Sequence, residues 1–193
     1  MLTKYSALIF DMDGTLFDTE PLHRKAWLET FSDESISVTE EELIQFNGSA
    51  PWEVARKILA LKEVNADPLY LAERKRVRVD SLLKTEEVRL LPAMEIAQLW
   101  CGKLPFALGT GSERSTVEVL LNRFNLSAMF HTVVSADRVK RHKPAPDTFL
   151  LCAKEMNVPA ARCLVFEDST FGIAAANAAE MDVIDVNTLS RTI

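Results

Sequence analysis

Apolar residues along the chain fall into two patterns. Brief continuous runs at residues 6–10, 105–110, 132–135 and 163–166, with 182–186 as a fifth, read as strands buried on both faces. Helical stretches separate the last four, which is the βαβ pattern of a doubly wound α/β sheet. The first and second runs are about 95 residues apart, far more than one crossover helix needs. The excess, residues 16–86, repeats at helical spacing. Residues 20–30 carry Leu22, Ala26, Trp27 and Thr30, and residues 39–46 open on Thr39 and three glutamates, a capped first turn. Residues 51–61 put Val54, Ala55, Ile58 and Leu59 on one side, and residues 67–83 begin with Asp67 and Pro68 as cap and first position. The expected fold is an α/β, doubly wound, Rossmann-like parallel sheet core, residues 1–15 and 87–193, with a small α-helical cap domain, residues 16–86. An insertion at that point sits over the carboxyl ends of the strands, where open α/β sheets bind ligands.

Composition narrows the function classes. With 193 residues the chain can bury one full core and a small insertion. Lys and Arg number 22 against 28 Asp and Glu, and a net charge of −6 argues against a nucleic-acid or anionic-membrane footprint. No run approaches the roughly 18 apolar residues of a membrane span, and two carboxylates interrupt the first apolar stretch, so a cytoplasmic location is expected. The three cysteines show no metal-ligand or CxxC spacing and read as reduced core residues.

Chemistry concentrates where the predicted strands end. The first runs into Phe10-Asp11-Met12-Asp13-Gly14-Thr15, two carboxylates that face the same way if strand geometry persists. Carboxylates gathered there need a balancing cation, and a hard divalent ion such as Mg²⁺ suits them. The second ends in Thr110-Gly111-Ser112, a hydroxyl and backbone N–H groups that can meet an anion at a helix start. The third leads into Lys140-Arg141-His142-Lys143-Pro144, and the fourth into a second acidic pair, Glu167-Asp168. Together these groups describe a site for phosphoryl transfer. On the residues alone, His23 packs or caps within its helix, Lys75 in Arg74-Lys75-Arg76 belongs to a solvated face, and His131 and His142 are structural or surface residues. The third glycine of a dinucleotide fingerprint and the Walker pattern are both missing.

These four strand ends, in this order, resemble the haloacid dehalogenase superfamily, in particular its phosphatases with a helical cap after the first strand. That resemblance implies Asp11 as nucleophile and Asp13 as general acid and base. It implies Thr110 and Lys143 as ligands of the transferring phosphoryl group, with Gly111 and Ser112 beside it. Mg²⁺ would be held by Asp11, Asp168, the Asp13 carbonyl oxygen and, through water, Glu167. Asp18-Thr19-Glu20-Pro21-Leu22-His23, the loop Asn47-Gly48-Ser49-Ala50-Pro51 and the block Lys143-Pro144-Ala145-Pro146-Asp147 are similar to the β-phosphoglucomutase and sugar-phosphatase branch. In that branch Asp18 and Thr19 would lie at the hinge, and His23, Gly48, Ser49 and Lys75 would face the substrate.

The implied activity is Mg²⁺-dependent hydrolysis of a small phosphorylated metabolite, of the fructose 1-phosphate or 6-phosphogluconate type, by a monomer. Two alternatives stand beside it. The mutases of the branch grip a second phosphate with a cap-loop arginine and a lysine–asparagine pair, and those places here hold Pro51, Glu113 and Arg114. A non-catalytic scaffold would be expected to have lost Asp11, Asp13, Lys143 or Asp168, and none is lost.

Overall fold

The computed structural model describes residues 4–130 and 132–189. Five strands form one parallel sheet: β1 (Ala7–Phe10), β2 (Phe106–Gly109), β3 (Thr132–Val134), β4 (Cys163–Glu167) and β5 (Asp182–Asp185), in the order β3-β2-β1-β4-β5. β1 is central, with Leu8 opposite Phe106 on one side and Leu164 on the other. Every residue of β1, β2 and β4 is buried, as continuous apolar runs require when helices cover both faces.

Among the described residues eight α-helices accompany the sheet: α1 (Glu20–Asp33), α2 (Glu40–Ile44), α3 (Pro51–Leu61), α4 (Pro68–Thr85), α5 (Pro92–Trp100), α6 (Arg114–Arg123), α7 (Asp147–Glu155) and α8 (Thr170–Ala178). Alternation along β1 assigns the faces. Leu8 and Phe10 join a cluster with Met94 and Ala97 of α5 and Val117 and Leu120 of α6, whereas Ala7 and Ile9 join Phe149 and Cys152 of α7 and Ala175 and Ala176 of α8. Phe10 stacks on Phe166 with ring centroids 4.6 Å apart, so the central strands are locked side by side just below the site.

The four helices between β1 and α5 form where local signals predict them. Thr39 and Glu42 make a reciprocal capping box at α2, and the Asp67 side chain accepts from the Leu69 N–H with Pro68 at the first position of α4. Their facing sides bury a separate cluster that includes Trp27, Phe31, Leu43, Ile58 and Leu71. The apolar boundary does not coincide with either end of residues 16–86. Ala26 of α1 and Val79 and Leu83 of α4 belong to the cluster that covers the sheet. The chain leaves and re-enters the sheet region at adjacent points, where Phe17 and Leu90 form an isolated bridge. No helix among the described residues is long and apolar enough to cross a membrane. The cysteine expectation needs correcting at one position. Cys152 and Cys163 are buried, but Cys101, in the turn after α5, is exposed. His131 lies outside the described residues.

Candidate active site

Asp11 immediately follows β1, and its N–H still donates to Phe166 O at 3.0 Å, so strand geometry persists through Asp11. The chain then turns sharply, with Gly14 N–H donating to Phe17 O at 2.8 Å. Gly14 adopts φ +81°, and a Cβ there would come within 2.3 Å of an Asp168 carboxylate oxygen. The glycine after the carboxylate pair is therefore required twice, by conformation and by the approach of Asp168.

Lys143, almost fully buried, donates to Asp11 Oδ1 at 2.6 Å, Glu167 Oε2 at 2.7 Å and Gly109 O at 3.1 Å. Burial alone would lower its pKa, yet the Asp11 and Glu167 carboxylates raise it above the ordinary lysine value. Glu167 is fixed from the other side by the Ser169 hydroxyl and N–H, at 2.8 and 3.0 Å. Asp168 accepts from Thr15 Oγ1 at 3.0 Å. Burial, Glu167 and Asp168 push the Asp11 carboxyl well above its usual range despite Lys143, and burial and Glu167 push Asp168 up to about 7. One ammonium thus faces three carboxylates, and the site is short of positive charge.

Asp13 has the opposite environment. Burial would raise its carboxyl, but nearby His23, the Ser112 hydroxyl at 2.6 Å and the Thr19 hydroxyl at 2.6 Å hold it below the usual carboxylate range. His23 Nε2 lies 3.2 Å from Asp13 Oδ1 without an aligned hydrogen bond, and its Nδ1 is 2.7 Å from Lys75 Nζ. Burial and Lys75 lower the His23 pKa. Burial lowers Lys75 to about 8 and raises Glu20 to about 7, the latter helped by Asp13. Lys75 is therefore buried in contact with a site residue, not on a solvated face, and His23 joins it to Asp13.

Eleven of the residues expected to form the site line one cleft between the strand ends and α1–α4: Asp11, Asp13, His23, Gly48, Ser49, Lys75, Thr110, Gly111, Ser112, Glu167 and Asp168. Lys143 lies behind Asp11, beneath the cleft floor. Thr110 Oγ1 accepts the Ser112 N–H at 3.0 Å, so Ser112 uses both its donors inside the site. Gly48 reaches across from the helical side with φ +81°, and a Cβ on it would meet Ser169 Oγ at 2.5 Å. Asp11, Glu167 and Asp168 each present a carboxylate oxygen, all within 4.8 Å of one another. The Asp13 carboxylate stands outside that set. Sequence reasoning missed Thr15, Ser169, Glu20 and Arg24, and gave Thr19 a hinge role without seeing its bond to Asp13. The only prior signal for Thr19 and Glu20 was their place in the stretch from Asp18 to His23.

Comparison with known proteins agrees with the geometry. The family model for haloacid dehalogenase-like hydrolases matches residues 8–186. The chain is 48% identical over 189 residues to the fructose-1-phosphate phosphatase YqaB of Escherichia coli, covering 98% of this chain and 100% of that one. Among solved structures, a β-phosphoglucomutase from Clostridium difficile superposes with a TM-score of 0.81 at 26% identity, covering 97% of this chain and 94% of that one. A CbbY variant from Rhodobacter sphaeroides, crystallised with xylulose-(1,5)bisphosphate, superposes at 0.83 with 28% identity, covering 93% and 84%. Sequence match, fold and the carboxylate–lysine cluster at the strand ends converge on one assignment: the chain belongs to the haloacid dehalogenase-like hydrolases and is one of their phosphatases.

Proposed function

We propose that this phosphatase hydrolyses a small sugar phosphate, of the fructose 1-phosphate or 6-phosphogluconate type, through a phosphoryl group carried on Asp11. The observation that carries this reading is the buried Lys143 ammonium, bound at once to Asp11 and Glu167 beneath a cleft that Asp11 lines. Lys143 holds one Asp11 oxygen and leaves the other to attack phosphorus, while the Thr110 hydroxyl and the Gly111 N–H orient the phosphoryl oxygens. Asp13 gives a proton to the departing alkoxide and then takes one from the water that cleaves the acyl phosphate. In the arrangement described Asp13 is ionised, the state that suits the second role. A phosphate dianion beside it raises its pKa and favours the protonated state that the first role needs.

The donor set fits Mg²⁺. Three carboxylates converge, two are pushed upward by burial and mutual repulsion, and Lys143 balances only part of their charge. Asp11 and Asp168, with Glu167 and the Asp13 carbonyl, would hold the ion. When bound, it screens the Asp11 carboxylate from the incoming phosphate. In this reading residues 16–86 act as a cap over a core of residues 1–15 and 87–193, in a cytoplasmic monomer. The separate apolar cluster of α1–α4 supports that division.

The substrate reading is supported by the 48% identity to a fructose-1-phosphate phosphatase. Phosphomutase activity is the second reading, and Arg114 was its best support, as partial compensation for the lysine that Glu113 replaces. Arg114 binds Glu118 Oε1 at 2.7 Å one turn along α6 and does not line the cleft, so it offers no grip on a second phosphate.

The test is a panel of fructose 1-phosphate, 6-phosphogluconate, phosphoglycolate and β-glucose 1-phosphate with a trace of glucose bisphosphate. Inorganic phosphate should be released from a sugar phosphate, cease with EDTA and return with Mg²⁺. Glucose 6-phosphate forming faster than phosphate is released from any ester would make the enzyme a mutase. Full activity in chelator would remove the metal from the mechanism.

A further inference from the structure

Building on the sugar-phosphate reading, we infer that Glu20 and Arg24 are a specificity pair that reads neighbouring hydroxyl groups on the end of the substrate remote from its phosphate. The two residues lie one turn apart at the start of α1, both line the cleft, and neither has a place in the chemistry at Asp11. Arg24 is flanked by two carboxylates without being hydrogen-bonded by either. Its Nη1 is 3.5 Å from Glu20 Oε2 and its Nε is 3.5 Å from Glu40 Oε2. That Nε is buried and has no hydrogen-bond partner among the described residues.

Burial closes Nε to a ligand, but the terminal N–H groups of the same guanidinium also make no hydrogen bond among the described residues, and a charged donor on the cleft wall favours an acceptor delivered by a ligand. Beside it stands Glu20, an acceptor whose contact with Arg24 is too long for a hydrogen bond. A donor edge next to an acceptor matches two adjacent hydroxyls, each able to give and take a hydrogen bond. An anionic end, such as a second phosphate, would meet Arg24 only in the company of Glu20 and Glu40, and like-charge repulsion disfavours it. The pair therefore selects a monophosphate with a neutral polyhydroxyl end over a bisphosphate. Its position on α1 links recognition to catalysis: Thr19, just before Glu20, and His23, just before Arg24, are two of the residues that contact Asp13.

The experiment compares the full-length enzyme with E20Q and R24M on fructose 1-phosphate, mannitol 1-phosphate, fructose 1,6-bisphosphate and phenyl phosphate, which has no hydroxyl groups. The readout is the ratio of kcat/KM for the faster polyol monophosphate to that for phenyl phosphate. Each substitution should lower that ratio by roughly tenfold or more, the scale of one lost hydrogen bond to a charged group. The wild type should prefer fructose 1-phosphate to the bisphosphate. An unchanged ratio, including an equal loss on every ester, would make Glu20 and Arg24 a structural pair and overturn the inference, as would a preference for the bisphosphate. A wild type that cleaves phenyl phosphate but neither polyol phosphate would overturn the sugar-phosphate reading and the inference with it. Selective loss on mannitol 1-phosphate by an enzyme inactive on fructose 1-phosphate would overturn that substrate and uphold the pair.

Discussion

At the residue scale, the site is built from charges held in unfavourable surroundings. Asp11 is buried beside two other carboxylates with one ammonium among them. Asp11→Asn keeps the shape, removes the attacking oxygen and relieves part of that repulsion. It should abolish phosphate release while the thermal midpoint in chelator stays at or above that of the wild type. Substantial residual turnover would remove Asp11 from its role. Lys75 offers a test by titration. Its pKa is lowered to about 8 from the ordinary lysine value of about 10.5, so between these values the unfolded chain carries a proton that the folded chain has lost. Folding stability therefore rises with pH across that window, and the full cost of burying the ammonium is present below about pH 8. Lys75→Met has no ammonium to bury and escapes this cost. Between pH 7 and pH 10 the wild type should gain about 2–3 kcal/mol relative to the variant in urea unfolding, whatever their difference at pH 7. Parallel pH profiles would show that Lys75 is not buried as a strained cation.

At the element scale, α4 is tied to α6 by a polar joint that no local pattern announces. Thr116 Oγ1 donates to Asp80 Oδ1 at 2.7 Å, and Arg76 Nη1 donates to Ser115 Oγ at 3.0 Å while its Nε stands 3.5 Å from Glu113. Asp80 and Thr116 are both buried, so Thr116→Val should cost about 1–3 kcal/mol through the carboxylate left short of a donor. Because α4 also carries Lys75, the same change should raise KM more than it lowers kcat, and Thr116→Ser should restore both. A stability loss with unchanged kinetics would leave the joint purely structural. This joint also marks where sequence reading ends. The strands, the caps at Thr39 and Asp67, and the carboxylates, hydroxyl and lysine at the strand ends were legible because each depends on residues adjacent in the chain or on the end of an apolar run. Thr19 on Asp13, Thr15 on Asp168 and Ser169 on Glu167 escaped because a hydroxyl is ordinary until folding brings a carboxylate beside it. Lys75 misled for the same reason, since its charged neighbours Arg74 and Arg76 ion-pair elsewhere and leave it turned inward. Cys101 misled in the opposite sense: the apolar stretch around it ends with α5, one residue before it.

At the scale of the whole molecule, the sheet order has a consequence for how the chain is made. β1, which leads directly into Asp11, is synthesised before its partners, yet it is central and pairs with β2 at Phe106 and with β4 at Leu164. At about 5–20 residues per second, roughly 10–30 s pass on the ribosome between the appearance of β1 and that of its last neighbour. Until β2 emerges the run from Ala7 to Phe10 has two open edges, and one edge stays open until β4, the condition in which nascent strands associate wrongly. The helices α1–α4 gather most of their own cluster from residues close in sequence and can condense meanwhile. A chain stopped after Pro159 contains every helix of that cluster but lacks β4 and β5. It should retain helical circular dichroism, bind a hydrophobic dye and be cut by protease ahead of Phe106, whereas the full chain resists. Protection of β1 in the stopped chain would mean that the sheet assembles pairwise as it emerges. Otherwise Asp11 is translated well before the strands that hold it and settles only when the last of them has paired, and any delay late in synthesis prolongs the exposure of the strand that leads into it.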